Sequence, residues 1–372
     1  MGISLIQELR WLNNTLPIQV YTCFPSELSN DTRSRILAAD ALDAIEMVDV
    51  CQLLVDHTPY LRNVWDATTY QSYYIKILAL LHTHLDDVLV LDADDIFLSN
   101  PDVLWGLLPF QTTGTLFFYD RQLDYTQFFN TPTSYNETLL HTLLHSFPYA
   151  RFNLTRPVLS PQLQQSKAWQ HATAHEQDSS VVLLRKSRVG HAMLQVLWHL
   201  VHELRHESTY AGGDKEYFWL ACVLANASYA FSEHAAAVVS LPDDMALHNE
   251  TLCGSLAHYV PEASVDPPLL YINGQYILTP PRELDDALQP HNTSWATQME
   301  DALIAAIPQY VTPRHAEREF VPFRGELSDT CLIGQGAKRI AAVGYHEILT
   351  RRIQNTIAAA QELHPSTQSS SS

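Results

Sequence analysis

Residues 88–101 read VLVLDADDIFLSNP. Valine and leucine in unbroken succession make a buried strand. The run then breaks on Asp92, Asp94 and Asp95 before an Asn-Pro turn. Carboxylates this close repel one another unless positive charge sits among them. A strand ending in Asp-x-Asp sets two hard oxygen ligands at the carboxyl edge of a sheet. That arrangement suits Mg²⁺ or Mn²⁺, with water and substrate phosphates completing the shell. Asp95 either touches such an ion or only caps the turn.

Outward from this stretch the pattern alternates helix and strand. ISLIQELRWLNN (3–14) has helical spacing, and LPIQVYTCF (16–24) is a strand opening after Pro17. Residues 32–47 read as an amphipathic helix, MVDVCQLL (47–54) as a second strand, YQSYYIKILALLHTH (70–84) as a helix of about four turns, and VLVLDA as a third strand. Such alternation predicts an α/β fold whose Rossmann-like, mostly parallel sheet is flanked by helices and binds ligands at the carboxyl ends of its strands. Residues 120–175 carry no sustained period. SVVLL (180–184) is then a strand leading into a long helix, GGDKEYFWLACVLANAS (212–228) opens on two glycines and continues helically, and LLYINGQYIL (269–278) is a late strand. From about 295 the pattern is helical again, AKRIAAVGYHEILTRRIQNTIAAAQEL (337–363) reading as one amphipathic helix. The expected division is a catalytic-type domain over 1–325, a helical extension over 326–364 and a disordered Ser/Thr/Gln tail over 365–372.

The chain is acidic, with 41 Asp+Glu against 22 Lys+Arg. A nucleic-acid partner or an anionic lipid surface calls for the opposite sign. A phosphate-bearing ligand therefore needs a local solution, a metal ion or a well-placed lysine. No apolar run is long enough to span a membrane, and the first residues lack the basic and apolar regions of a signal peptide. The compartment shows elsewhere. Seven of the 13 asparagines sit in N-x-S/T triplets (Asn13, Asn30, Asn136, Asn153, Asn226, Asn249, Asn292), where chance gives about two. The excess points to the secretory lumen. The five cysteines fit it, allowing up to two disulfides and one thiol over.

The run from Tyr70 to Pro101 resembles the donor-site core of the fungal-type α-mannosyltransferases, glycosyltransferase family 71, which includes Golgi α-1,3- and α-1,2-mannosyltransferases. The resemblance extends in order through GTLFFYDR (114–121), HEQDSSVVLLRKSRVGH (175–191), GGDKEYFWLA (212–221) and CGSLAHYVPEASVDPPLLYINGQ (253–275), covering roughly residues 3–280. It implies a GT-A glycosyltransferase fold that uses Mn²⁺ and GDP-mannose and transfers mannose to an α-mannoside acceptor with retention of configuration. Carried over residue by residue, Asp92, Asp94 and His258 are the implied metal ligands. Lys76, Asp92, Asp120, Arg121, Lys215, Asn273 and Gly274 are implied in donor binding. Asp178 is the implied catalytic carboxylate, with Asp214 and Glu216 next. Family members are Golgi-lumenal and carry an N-terminal anchor and a Gly-Ile-Val strand ahead of the first helix matched here. Neither has a counterpart in this sequence, so two strand edges are expected to flank a gap. Two alternatives stay open: a transferase of another nucleotide sugar, and a catalytically inactive carbohydrate-binding relative.

Overall fold

The computed structural model describes residues 1–58, 61–123, 126–133, 137–241, 250–279, 293–315 and 330–363. Helix α1 (Gly2–Trp11) buries Ser4, Leu5, Ile6, Glu8 and Leu9 on one face. Strand β1 (Ile18–Thr22) follows, then α2 (Asn30–Ala38), β2 (Ile45–Asp49) and α3 (Val50–His57). Helix α4 (Ile75–His82) leads to β3 (Asp87–Leu91), and only three residues separate β3 from β4 (Asp95–Phe97). Next come β5 (Thr115–Tyr119), β6 (Gln177–Arg185), α5 (Lys186–His202) and α6 (Tyr217–Leu224). The last third contributes β7 (Ala237–Ser240), β8 (Leu252–Cys253), β9 (Ser255–Tyr259), β10 (Leu269–Asn273), α7 (Thr293–Ala305), β11 (Tyr310–Val311), β12 (Cys331–Leu332), β13 (Lys338–Arg339) and α8 (Tyr345–Leu363). The helix Leu139–Ser146, between β5 and β6, and shorter helical turns are left unlabelled.

The expected parallel sheet is not what forms. The fold is mixed α/β, but among the described residues β1 and β2 are the only strands that pair in parallel, beside one isolated parallel bridge between Phe117 and Phe231. Strand β6 lies between β3 and β5 and runs antiparallel to both. A second sheet, in the order β13-β11-β7-β9-β10-β4, is antiparallel throughout. Alternating helices imply parallel neighbours only where consecutive strands pair; here β3 takes as neighbour a strand that comes 86 residues after it ends. The nine residues of β6 are nearly all buried. Val182 and Leu184 enter a large core with α4, α5 and α6, while Val181 and Leu183 enter another with Leu116, Phe118, Phe97 and Tyr271. Burial on both faces explains why this strand shows no polar alternation.

The stretch 92–95 is where the chain crosses from one sheet to the other. Strand β3 belongs to the three-stranded sheet and β4 to the six-stranded one. The unpaired edges of β1 and β3 both line a cleft of about 950 Å³ whose wall includes Leu5, Leu9 and Ala79. Among the described residues β1 pairs with β2 alone and β3 with β6 alone, so the two edges expected beside a gap face one space.

Several boundaries move. The helix expected over 32–47 ends at Ala38, and the strand expected over 47–54 instead occupies 45–49 before turning helical. The four turns expected over 70–84 reduce to a 3-10 turn and α4. Residues 337–344 are not helical; α8 starts after Gly344, which holds φ 76°. Helix α8 shares a core with Ile96, β9, β10 and α7 rather than standing apart. The expected boundary at 325/326 and the tail 365–372 lie outside the described residues. Two disulfides form, Cys23–Cys51 and Cys253–Cys331, and Cys222 is a buried thiol.

Candidate active site

Because β6 runs against β3 and β5, its beginning lies beside their ends. Leu91 pairs with Val181, the Asp92 amide donates to the Ser180 carbonyl at 2.9 Å, Phe118 pairs with Asp178, and the Asp120 amide donates to Glu176 at 3.0 Å. Asp92, Asp120 and Asp178 are thus gathered along one sheet edge by strand direction alone. The second sheet closes the site through β10, where Asn273 pairs with Asp95 and the Gly274 amide donates to the Asp94 carbonyl at 3.0 Å.

Two half-buried lysines answer the carboxylates. Lys76, on α4, lies 2.7 Å from Asp92 and 3.5 Å from Asp214, and donates to the Ser179 carbonyl at 3.0 Å. Burial opposes its charge, but Asp214 and Asp92 outweigh burial and hold the ammonium above its ordinary value. Burial pushes the Asp92 carboxyl up to about 6 against the pull of Lys76, with Asp214 and Asp94 adding to the rise. Burial likewise raises Asp214. Lys215 donates to Asp120 at 2.6 Å, and the Arg121 amide donates to the same carboxylate at 2.7 Å. Burial works against the Asp120 charge, but Lys215, His175 and Arg121 hold its carboxyl well below the ordinary range. Asp178 accepts from Ser180 and from His258 Nε2 at 2.9 Å. Burial would raise it; the hydrogen bond and charge of His258, with Lys215 behind, leave it lowered and ionised.

Asp94 differs from all of these. It is half-buried, and among the described residues no hydrogen bond or ion pair holds its side chain. Its backbone, by contrast, is fixed. Asp95 is wholly buried, caps the turn by accepting the Asp92 amide at 3.2 Å, and is raised well above the ordinary range by burial and by Asp92.

The structure brings together Lys76, Asp92, Asp94, Asp214, Asp120, Lys215, Arg121 and Asp178. Glu216 is set apart: its oxygens accept the Glu176 amide at 3.0 Å and the Trp219 indole at 2.6 Å, bracing α6. His258 is buried between Phe118 and Tyr271 with Nε2 on Asp178, so it orients that carboxylate. Among the described residues no three His, Cys, Asp or Glu side chains converge in an ion-holding geometry. A preformed cage of Asp92, Asp94 and His258 is therefore not present. A shell in which Asp94 and Asp92 supply one or two oxygens and water and diphosphate supply the rest does fit the donors that are there. Sequence reasoning missed Glu8 and Arg352, both buried against the aspartate loop. A glutamate on the apolar face of α1 was the available signal for Glu8. Nothing local marked Arg352.

A family model described as "Mannosyltransferase putative" matches residues 1–259. The chain belongs to this mannosyltransferase family. Among its curated relatives, the "Putative alpha-1,3-mannosyltransferase MNN14" of Candida albicans is 29% identical over 247 residues, 64% of this chain and 33% of that protein. The "Alpha-1,3-mannosyltransferase MNT2" of Saccharomyces cerevisiae is 25% identical over 232 residues, 62% of this chain and 40% of that protein. The "Alpha-1,3-mannosyltransferase MNN1" of the same yeast is 26% identical over 252 residues, 62% of this chain and 32% of that protein. The match spans 32–40% of the length of these three mannosyltransferases. Among the described residues no helix is long and apolar enough to cross a membrane.

Proposed function

We propose that this chain is a GT-A-type glycosyltransferase that moves mannose from GDP-mannose to an α-mannoside acceptor, with retention of configuration, in the Golgi lumen. The observation that carries the reading is Asp94: a half-buried carboxylate whose side chain makes no hydrogen bond or ion pair among the described residues, on a backbone pinned at the crossing of two sheets, in a chain of a mannosyltransferase family. Asp94, with Asp92 beside it, is the candidate holder of a Mn²⁺ ion. Bound there, the ion would offset the diphosphate charge that grows as the nucleotide departs. Lys76, 2.7 Å from Asp92, offsets part of the repulsion between Asp92 and Asp94 and is the candidate cation for a phosphate. Asp178, ionised and oriented by His258, suits electrostatic support of oxocarbenium character on the sugar. Asp120 and Lys215, locked together, supply a rigid polar wall. The names of the relatives support mannose, and the seven sequons support the compartment.

The test is a thermal-shift panel of GDP-mannose, UDP-glucose and UDP-galactose, each with and without Mn²⁺, followed by transfer to an α-mannoside. We expect GDP-mannose with Mn²⁺ to stabilise the protein most, and Asp94→Ala to abolish the Mn²⁺ increment. Stabilisation by a uridine sugar alone would sink the mannose assignment, and binding without transfer would favour an inactive carbohydrate-binding relative.

A further inference from the structure

We propose that Arg352, on α8, is a positioning residue for the aspartate loop, so that the C-terminal helix is part of the site although it lies outside residues 1–259 matched by the family. The inference rests on reading Asp92 and Asp94 as the working carboxylates. The Arg352 side chain is 0% exposed, and its Nη2 donates to two carbonyls, Ala93 at 2.8 Å and Asp95 at 3.2 Å. Those are the residues on either side of Asp94. The remaining carbonyls of the loop are also taken: Asp92 by the Asp95 amide at 3.2 Å, and Asp94 by the Gly274 amide at 3.0 Å. Glu8 completes the clamp from α1, accepting the Phe97 amide at 2.8 Å while its other oxygen lies 3.8 Å from Arg352 Nε.

This is a poor way to gain stability. A buried guanidinium is costly to desolvate, and among the described residues Nε and Nη1 of Arg352 make no hydrogen bond. Apolar residues of similar size usually serve a core as well. What an apolar residue cannot do is grip two carbonyls that flank one aspartate. A planar guanidinium does so with its orientation fixed, whereas a lysine offers a single swivelling point charge. With the carbonyls of Ala93, Asp94 and Asp95 held from outside the loop and that of Asp92 from within it, the Asp94 side chain is left half-open with a defined backbone beneath it.

The experiment uses the full chain as Arg352→Met and Arg352→Lys. Two measurements are made on each: amide hydrogen exchange by mass spectrometry, and calorimetric titration with Mn²⁺ alone. We expect exchange across 92–97 to rise at least tenfold in Arg352→Met while the buried helix 217–224 is unchanged, with Arg352→Lys intermediate. Mn²⁺ should bind Arg352→Met at least tenfold more weakly than wild type. A rise in exchange shared by 217–224 would reduce Arg352 to a stability residue and overturn the proposal, as would unchanged exchange at 92–97 in a folded variant. Should Arg352→Met not fold, Arg352→Lys decides by the same criteria. Wild-type protein that binds no Mn²⁺ while local exchange still responds would count against the metal reading alone and leave the clamp standing.

Discussion

Gly274 has no side chain at the point where the Asp94 carbonyl needs a donor. Its φ of −93° is open to any residue, so the requirement is space rather than torsion. A Cβ here would stand 2.6 Å from the Asp94 oxygen and 2.6 Å from Ile96 Cδ1. The first of these is backbone and cannot rotate away. Gly274→Ala should therefore cost about 1–3 kcal/mol in denaturant unfolding; if Asp94 holds Mn²⁺ as proposed, calorimetric titration should also show weaker Mn²⁺ binding, because the displaced loop carries Asp94. The Asp-x-Asp spacing and the Asn-Gly pair were both legible from sequence. That one holds the other by an amide-to-carbonyl bond was not, because 180 residues separate them.

At the scale of elements, the boundary between α2 and β2 shows how local pattern misleads. Apolar residues in 32–47 satisfy a helical period, yet the helix stops at Ala38 because Asp40 organises a turn. Arg10 holds Asp40 through two hydrogen bonds of 2.7 and 3.1 Å, and the amides of Leu42 and Ala44 donate to the same carboxylate. The Arg10 bond, foremost, outweighs burial and keeps the Asp40 carboxyl well below its ordinary value of 3.8. A carboxyl lowered in the folded state contributes stability that is present above the ordinary value and lost as pH falls through the lowered one. Asp40→Asn should cost about 1–3 kcal/mol at pH 7, and less as the pH is taken below 3.8, flattening the acid limb of stability against pH. A wild-type-like acid limb in that variant would show that the clamp is not a determinant of this turn. The strand at 18–22 was legible from its β-branched and aromatic residues after Pro17, and 87–91 and the second half of 177–185 from consecutive apolar residues outside any helical stripe.

For the whole molecule, the relevant facts are two sheets joined at 92–95 and a terminal helix that returns to the first. Ser4 on α1 meets Thr356 on α8 at 2.8 Å, and Arg35 meets Glu362 at 2.7 Å. The surface then bears on compartment. Asn13, Asn30, Asn153 and Asn226 are all exposed, while Asn136, Asn249 and Asn292 lie outside the described residues. Three of the four, Asn13, Asn153 and Asn226, hold positive φ at turns, where an asparagine projects from the surface. Produced in a secretory eukaryotic host, the protein should lose mass on enzymatic removal of N-glycans, and Asn→Gln at each of these four positions should remove one increment. No shift in any of the four variants would contradict a secretory-lumen origin.

The sequence by itself determined the strand that runs into Asp92 and Asp94, the positions of most of the longer helices, the family, and the number of disulfides the chain could form. Only the tertiary structure decided that the sheets are mostly antiparallel, that Lys76 neutralises Asp92, that His258 serves Asp178, that Glu216 braces Trp219, and that Arg352 grips the aspartate loop. The physical reason is range. Periodicity records which face of a short segment is buried, so it fixes local structure. A carboxylate's charge and role depend on which cation or amide packs beside it, and here those partners lie 80 residues away for His258 and 259 for Arg352.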